Sequence, residues 1–165
     1  MSDLILPLNL VASIVVFFAA ARVYVLPSLA RWSFRDVMSP ILLFHSLRHL
    51  GLMFLAGGAT YPGVPAQFAY PAAVGDLIAA VLAFTAFVAV RLNHPAGRPL
   101  VWAFNVEGTV DLLDAIILAT VYHAAGSMGP AYWIPAFWVP ALLVTHYITF
   151  LVLLRGRLAS RPAGG

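Results

Sequence analysis

The stretch AAVGDLIAAVLAFTAFVAVRL, residues 72–92, decides the fold class of this chain. Asp76 is its one charged residue before Arg91. A helix of about 20 mostly apolar residues is long enough to cross the hydrocarbon core of a bilayer, and a helix satisfies its own backbone hydrogen bonds there. The stretch therefore predicts a transmembrane helix.

Four further apolar stretches, each bounded by Pro, Gly or Arg, carry the same signal. The predicted helices cover about residues 4–26, 40–59, 72–92, 100–123 and 132–155. We predict an all-α fold, an integral membrane bundle of five transmembrane helices. It forms a single domain over residues 1–158, followed by a flexible tail at 159–165.

Composition supports this class and excludes others. Hydrophobic residues make up 62% of the 165 residues and charged residues 9%, too few charges to cover a water-facing surface. The chain has no cysteine, which excludes disulfides, thiolate metal ligands and a cysteine nucleophile. It also has no lysine, which excludes a Schiff base and a Walker-type phosphate loop.

The arginines predict the orientation. All of them except Arg48 lie in or beside the first connection, the third connection or the carboxyl-terminal segment. The positive-inside rule then places the amino terminus outside and the carboxyl terminus in the cytoplasm. We expect a multi-pass protein of the bacterial cytoplasmic (inner) membrane, with membrane lipids and no nucleic acid as partners, and homo-oligomerisation is left open.

Polar residues inside the predicted helices are the candidates for function, because each costs several kcal/mol in a bilayer unless it is paired, hydrated or neutralised. They are His45, Arg48 and His49 in helix 2, Asp76 in helix 3, Glu107, Asp111 and Asp114 in helix 4, and His146 in helix 5.

α-Helical geometry predicts how these residues are arranged. His45, Arg48 and His49 are expected to share one face of helix 2. Glu107, Asp111 and Asp114 are expected to form one stripe on helix 4. Depths counted along the helices place Asp76 and Asp114 in an outer layer. The inner layer would hold His45, Arg48, His49, Glu107, Asp111 and His146.

The charge balance of this region indicates bound protons or cations, since Arg48 alone cannot neutralise the embedded acids. His45 and His49 have the i, i+4 spacing with which two imidazoles chelate one metal ion. With His146 and Asp111 added, the ligand set suits zinc or non-haem iron. Asp111 or Glu107 could then serve as a catalytic base. A haem ligated by His49 and His146 is a less favoured alternative than the zinc or iron site, because the surplus of acids beside the haem is unfavourable.

Structural roles for the same residues remain open. The imidazoles could be hydrogen-bonded to the acids of helix 4. Arg48 could form a salt bridge with Asp111 or Glu107. Asp76 and Asp114 could share a proton between helices.

Two parts of the sequence resemble known groups of proteins. FAYPAAVGDLIAAVLA, residues 68–83, and the last helix with Thr145 and His146 resemble small bacterial five-helix membrane proteins of unassigned activity. RLNHPAGRPLVWAFNVEGTVDLLDAI, residues 91–116, more faintly resembles the emopamil-binding-protein (EXPERA) sterol isomerase group. That resemblance implies a helical protein with membrane His and acidic residues around an apolar ligand, and His49 replaces the acid of the group's HxxxE pattern.

Three functions follow as hypotheses. The first is a metal-dependent membrane enzyme acting on a lipid-like substrate. Its His and Asp residues are analogous in type to the zinc-site residues of alkaline ceramidases. The second is a proton-titrating carrier, binding protein or isomerase-like protein for a small apolar ligand, without metal. The third is a non-catalytic membrane subunit whose polar groups specify helix packing.

Overall fold

All regular structure in the described part of the chain is helical. The computed structural model describes residues 4–159, with side chains as far as Arg155. The α-helices are α1 (Ile5–Ala20), α2 (Phe34–Ser46), α3 (Ala66–Arg91), α4 (Gly97–Val121) and α5 (Val139–Ala159). The all-α prediction is confirmed for these residues. Residue 159 ends α5, and the rest of the predicted tail at 159–165 lies outside the described residues.

Shorter helical segments continue or precede three of these helices. The most consequential is the 3-10 helix Leu47–Leu55, which extends α2 directly. The others are the π-helical turn Ala21–Val25 and 3-10 turn Leu26–Ser28 after α1, and the 3-10 turns Ala124–Ser127 and Gly129–Tyr132 with the π-helical turn Ile134–Trp138 before α5.

Two helices, α2 and α3, each begin six residues earlier than predicted. α2 starts at Phe34 because Ser33 and Asp36 form a capping box, in which the Ser33 side chain accepts from the Asp36 N–H and the Asp36 side chain accepts from the Ser33 N–H. α3 starts directly after Pro65. Pro40 and Pro71, which mark the predicted boundaries, lie within the first two turns of these helices.

α3 is the central helix, and it packs against α2, the 3-10 helix Leu47–Leu55 and α4. Its contact face is lined by small residues, and Ala79, Ala80 and Ala83 are all buried, as their spacing predicts. One apolar cluster, including Met38, Phe104 and Leu153, fills one end of the bundle. A second, including Phe54, Leu112 and Met128, fills the other. The buried polar residues lie between them.

Within residues 4–159, four helical stretches are long and apolar enough to cross a membrane: Ile5–Ser28, Phe34–Leu55, Ala66–Arg91 and Gly129–Arg155. α4 does not belong to this set, and its middle carries Glu107, Asp111 and Asp114. α4, which carries these three acids, packs against the central helix, α3.

Candidate functional site

Arg48 forms the centre of a buried polar network. Arg48 is 1% exposed, and its guanidinium donates to three acceptors on two helices. Nε donates to Asp76 Oδ1 of α3 at 2.7 Å, and Nη1 donates to the Gly108 carbonyl of α4 at 3.1 Å. Nη2 donates to Asp111 Oδ2. One cation thus joins the 3-10 helix Leu47–Leu55 to both α3 and α4.

The 3-10 geometry explains why Arg48 points inward. Residues three apart lie in line along a 3-10 helix. His45, Arg48, Gly51 and Phe54 follow this spacing, and all four are buried. His49 is turned away from that line; it is exposed, and its Nδ1 lies 3.0 Å from the Ser46 carbonyl oxygen. The prediction that His45 and His49 share a face assumed an α-helix here and is wrong.

Three glycines make room for the network. A Cβ on Gly51 would overlap the Asp76 carboxylate, and a Cβ on Gly75 would overlap the Asp111 carboxylate. At Gly108 an added Cβ would lie 2.6 Å from Arg48 Nη1 and 2.9 Å from His146 Nε2. Side chains at these positions would displace the charged groups, so the glycines are part of the site.

Two buried histidines lie against this network. Their rings are 4.4 Å apart between centroids, and Phe104 packs on both. His146 Nδ1 lies 2.8 Å from Asn105 Oδ1, while Asn105 Nδ2 donates to the His146 carbonyl. The second bond fixes the amide orientation, so Asn105 Oδ1 accepts a proton held on His146 Nδ1. His146 Nε2 is then left as an acceptor.

His45 has a corresponding arrangement. Its Nε2 lies 2.8 Å from Thr145 Oγ1, and that hydroxyl donates to backbone carbonyls one turn earlier in α5. The hydroxyl is therefore the acceptor from His45 Nε2–H, which leaves Nδ1 as an acceptor. Within the described side chains, three buried atoms of this region have no hydrogen-bond partner: His45 Nδ1, His146 Nε2 and Glu107 Oε2.

The predicted layers are corrected by the contacts of Arg48. Asp76 lies in the same network as Asp111, through Arg48, and not in a separate layer with Asp114. Asp114 is exposed, so it does not pair with the buried Asp76 carboxylate. Of the two acids left open as partners of Arg48, Asp111 makes the contact.

The predicted metal ligands are only partly brought together. His45 and His146 lie side by side, whereas His49 faces outward. Among residues 4–155, no group of three or more His, Asp or Glu side chains is placed to hold a metal ion. Metal binding by His45, His49, His146 and Asp111, and the catalytic roles of Asp111 and Glu107, stay predictions.

A cavity of about 320 Å³ lies beside the network, in the half of the bundle that contains the start of α1 and the end of α4. Its wall is mostly aliphatic and aromatic, and among residues 4–155 Asp76 is the one acidic side chain that contributes to it. Its lining comes from α1 (Leu6, Leu10), α3 (Phe68, Ala72, Asp76), α4 (Leu112, Ala115, Ile116) and the segment before α5 (Met128, Ile134), among others.

The family comparison covers nearly the whole bundle. The model of a family described as a domain of unknown function, DUF8737, matches residues 5–154. The chain belongs to this family. No curated protein and no solved structure matches it.

The DUF8737 match covers α1 to α4, most of α5 and every residue of the polar network. It agrees with the predicted likeness to proteins of unassigned activity, and it gives no support to the EXPERA resemblance. Several residues that build the site in this DUF8737 domain were not among the predicted ones: Gly51, Gly75, Gly108, Asn105 and Thr145. Thr145 and Asn105 carry a detectable signal, since each is a polar residue of a predicted transmembrane helix within two positions of a predicted site residue.

Proposed function

We propose that this protein is an integral membrane protein that binds an apolar molecule with a hydrogen-bond-donating head. The head would meet Asp76, and the apolar body would fill the cavity between α1, α3 and α4. One observation carries the proposal: Asp76 contributes its carboxylate to the wall of an apolar cavity, and the buried Arg48 holds that carboxylate in place.

Membrane insertion is supported by the outer surface of the helices. Large apolar side chains are exposed along α1, α3 and α4, among them Val15, Val81 and Ile117. In water such a surface would drive association, whereas lipid tails match it. The arginine distribution supports an outside amino terminus, a cytoplasmic carboxyl terminus and residence in a bacterial inner membrane.

The cavity is suited to a ligand by size and composition. Small-molecule sites are commonly concavities of about 300–1,000 Å³, mostly apolar, with a few polar groups that fix the ligand. α1 packs mainly on α5 and the turn Ile134–Trp138, and the cavity lies in the space that remains between α1 and the pair α3 and α4. A ligand dissolved in the bilayer would enter through this space.

The charges select the head group. Asp76 and Asp111 share one guanidinium, and Glu107 adds a third carboxylate one turn before Asp111. An ammonium or hydroxyl head would donate to Asp76, and the ammonium head would also reduce the excess of negative charge. A carboxylate head would be repelled. Without a ligand, protons on these acids would offset the same excess of negative charge, so binding of an ammonium head would release protons and would require no metal.

Three ligands with one chain length test the proposal: dodecylamine, dodecanol and dodecanoate. Thermal unfolding of the protein in phosphatidylcholine nanodiscs should shift upward with the amine and the alcohol, because a ligand that binds only the folded state stabilises it. Dodecanoate should give no shift. Equal shifts with all three would contradict the role of Asp76, and no shift with any would contradict the ligand cavity.

Variants locate the effect in the cavity. Ala115 lines it, so Ala115→Phe should fill it and remove the shift with dodecylamine. Ala103 is an exposed residue of the same helix, so Ala103→Phe serves as the matched control and should keep the shift. Asp76→Asn should weaken binding of dodecylamine more than that of dodecanol, since only the amine loses a charge–charge contact.

A further inference from the structure

A second cavity lies at the opposite end of the bundle, between the end of helix 1 and the end of α5. Two arginines, one from each helix, contribute to its wall. It is lined by Arg22, Leu26, Pro27, Tyr147, Leu151 and Arg155. It shares no residue with the cavity at Asp76.

The packing of the two helices explains why the arginines meet. α1 and α5 are neighbours, with Phe18 and Tyr147 in ring contact at 5.8 Å between centroids. α1 then passes into the π-helical turn Ala21–Val25, which buries Ala21 and leaves Arg22 exposed at the edge of the interface. Single π-helical turns inside longer helices are often found at functional sites.

The charge of this cavity is uncompensated within the described side chains. Neither Arg22 nor Arg155 has a hydrogen bond or ion pair with another side chain among residues 4–155, and no acid lines the cavity. Two exposed guanidinium groups on one cavity create a positive potential that attracts an anion, most strongly at low salt. The phenol of Tyr147 adds a neutral hydrogen-bond donor.

The remaining wall is apolar. Leu26, Pro27 and Leu151 place hydrocarbon beside the two guanidinium groups. An anion with an attached apolar chain uses both kinds of surface, whereas a free anion uses only the arginines. Arginine is well suited to phosphate because its planar donors can bind two oxygens at once.

We propose that Arg22, Arg155 and Tyr147 bind the phosphate of an anionic phospholipid, with the first acyl carbons against Leu26 and Leu151. The site lies at the end of the bundle that the arginine distribution assigns to the cytoplasm, where anionic headgroups attract basic residues. The inference rests on the proposed membrane insertion and orientation, and it is independent of the ligand cavity at Asp76.

The test uses delipidated protein in dodecyl maltoside and measures thermal unfolding. Phosphatidylglycerol and phosphatidylcholine with identical acyl chains are added at equal concentration, and inorganic phosphate is added in a third arm. Phosphatidylglycerol should raise the unfolding temperature above the value with phosphatidylcholine, and inorganic phosphate should not. No preference for phosphatidylglycerol would overturn the proposal. An equal shift with inorganic phosphate would overturn the lipid assignment in favour of a free anion.

Variants separate this site from general attraction between charges. Arg22→Gln combined with Arg155→Gln should weaken the apparent affinity for phosphatidylglycerol by about tenfold or more, as expected for the loss of charge-assisted hydrogen bonds. Arg91→Gln removes an exposed arginine at the end of α3 and should leave the affinity unchanged. A double variant that keeps the preference would overturn the proposal. Dodecylamine binding at Asp76 should persist in the double variant, so the two proposals can fail separately.

Discussion

Arg48 Nε lies 2.7 Å from Asp76 Oδ1, and this ion pair joins the 3-10 helix Leu47–Leu55 to the middle of α3. The same guanidinium binds Asp111 and the Gly108 carbonyl of α4. Three segments of the bundle are therefore held together by one side chain. A buried charge of this kind is costly when its partner is removed, because the remaining charge is left unpaired in a low dielectric.

Replacing Arg48 by Ala should destabilise the protein by about 3–5 kcal/mol, since Asp76 and Asp111 lose their shared partner. Unfolding in mixed micelles with increasing sodium dodecyl sulfate measures the change. Arg48→Met combined with Asp76→Asn and Asp111→Asn should recover part of the loss, because no buried charge is then left unpaired. Effects that simply add across the three positions would show that these residues do not act together.

Gly108→Ala should lower stability by about 1–3 kcal/mol, as overpacking of a dense interior does. The new Cβ would lie 2.6 Å from Arg48 Nη1 and 2.8 Å from His146 Cε1. Gly126→Ala is the matched control, because a Cβ there meets no atom within 4 Å. The same unfolding assay applies. Equal, small effects at both glycines would argue against close packing of α4 on the network.

The tautomer of His146 can be measured by nitrogen NMR of labelled protein. Asn105 Oδ1 accepts from Nδ1, so the neutral ring should carry its proton on Nδ1 and show Nε2 as the unprotonated nitrogen. Asn105→Leu removes the acceptor and should shift the ring toward the other tautomer. Finding the proton on Nε2 in the unaltered protein would contradict the hydrogen-bond assignment.

Metal content tests the cation site predicted from the sequence. The metal-site hypothesis requires that protein purified without chelators carries about one equivalent of zinc or iron and that His146→Ala removes it. His49→Ala should have little effect, because His49 faces away from His45 and His146 in this structure. Loss of metal in both variants would mean that residues 47–55 rewind as an α-helix on binding. If the protein contains no metal, and if adding zinc or iron does not shift its unfolding temperature, the metal-site hypothesis fails. The apolar-ligand site then remains as the explanation of the polar network.

Topology reporters test the orientation. A reporter fused after Gly165 should indicate the cytoplasm, and a reporter inserted near Pro65 should indicate the exterior, because the arginines cluster at the opposite end from Pro65. The reverse pattern would place the Arg22 and Arg155 cavity on the outer face, and with it the proposed lipid site in the outer leaflet.

Part of the site follows from local sequence. Charged and polar residues within apolar stretches are recognisable without any structure, and Arg48, Asp76, Asp111, His45 and His146 are found in this way. The early start of α2 was also encoded locally, in the capping pair Ser33 and Asp36. Pro40 and Pro71 are misleading as boundaries, because each lies in the second turn of its helix and removes one backbone hydrogen bond without ending the helix.

The amino-acid sequence by itself determined the helical class and the set of polar residues, since these depend on composition and on the length of apolar stretches. The tertiary structure alone decided which of them meet. Residues 47–55 could wind as an α-helix or as a 3-10 helix. In an α-helix His49 would lie in line with His45, whereas in a 3-10 helix Gly51 does. Gly51 has no Cβ and can lie against Asp76, which lets Arg48 reach both carboxylates. The winding is therefore selected by contacts between segments distant in sequence.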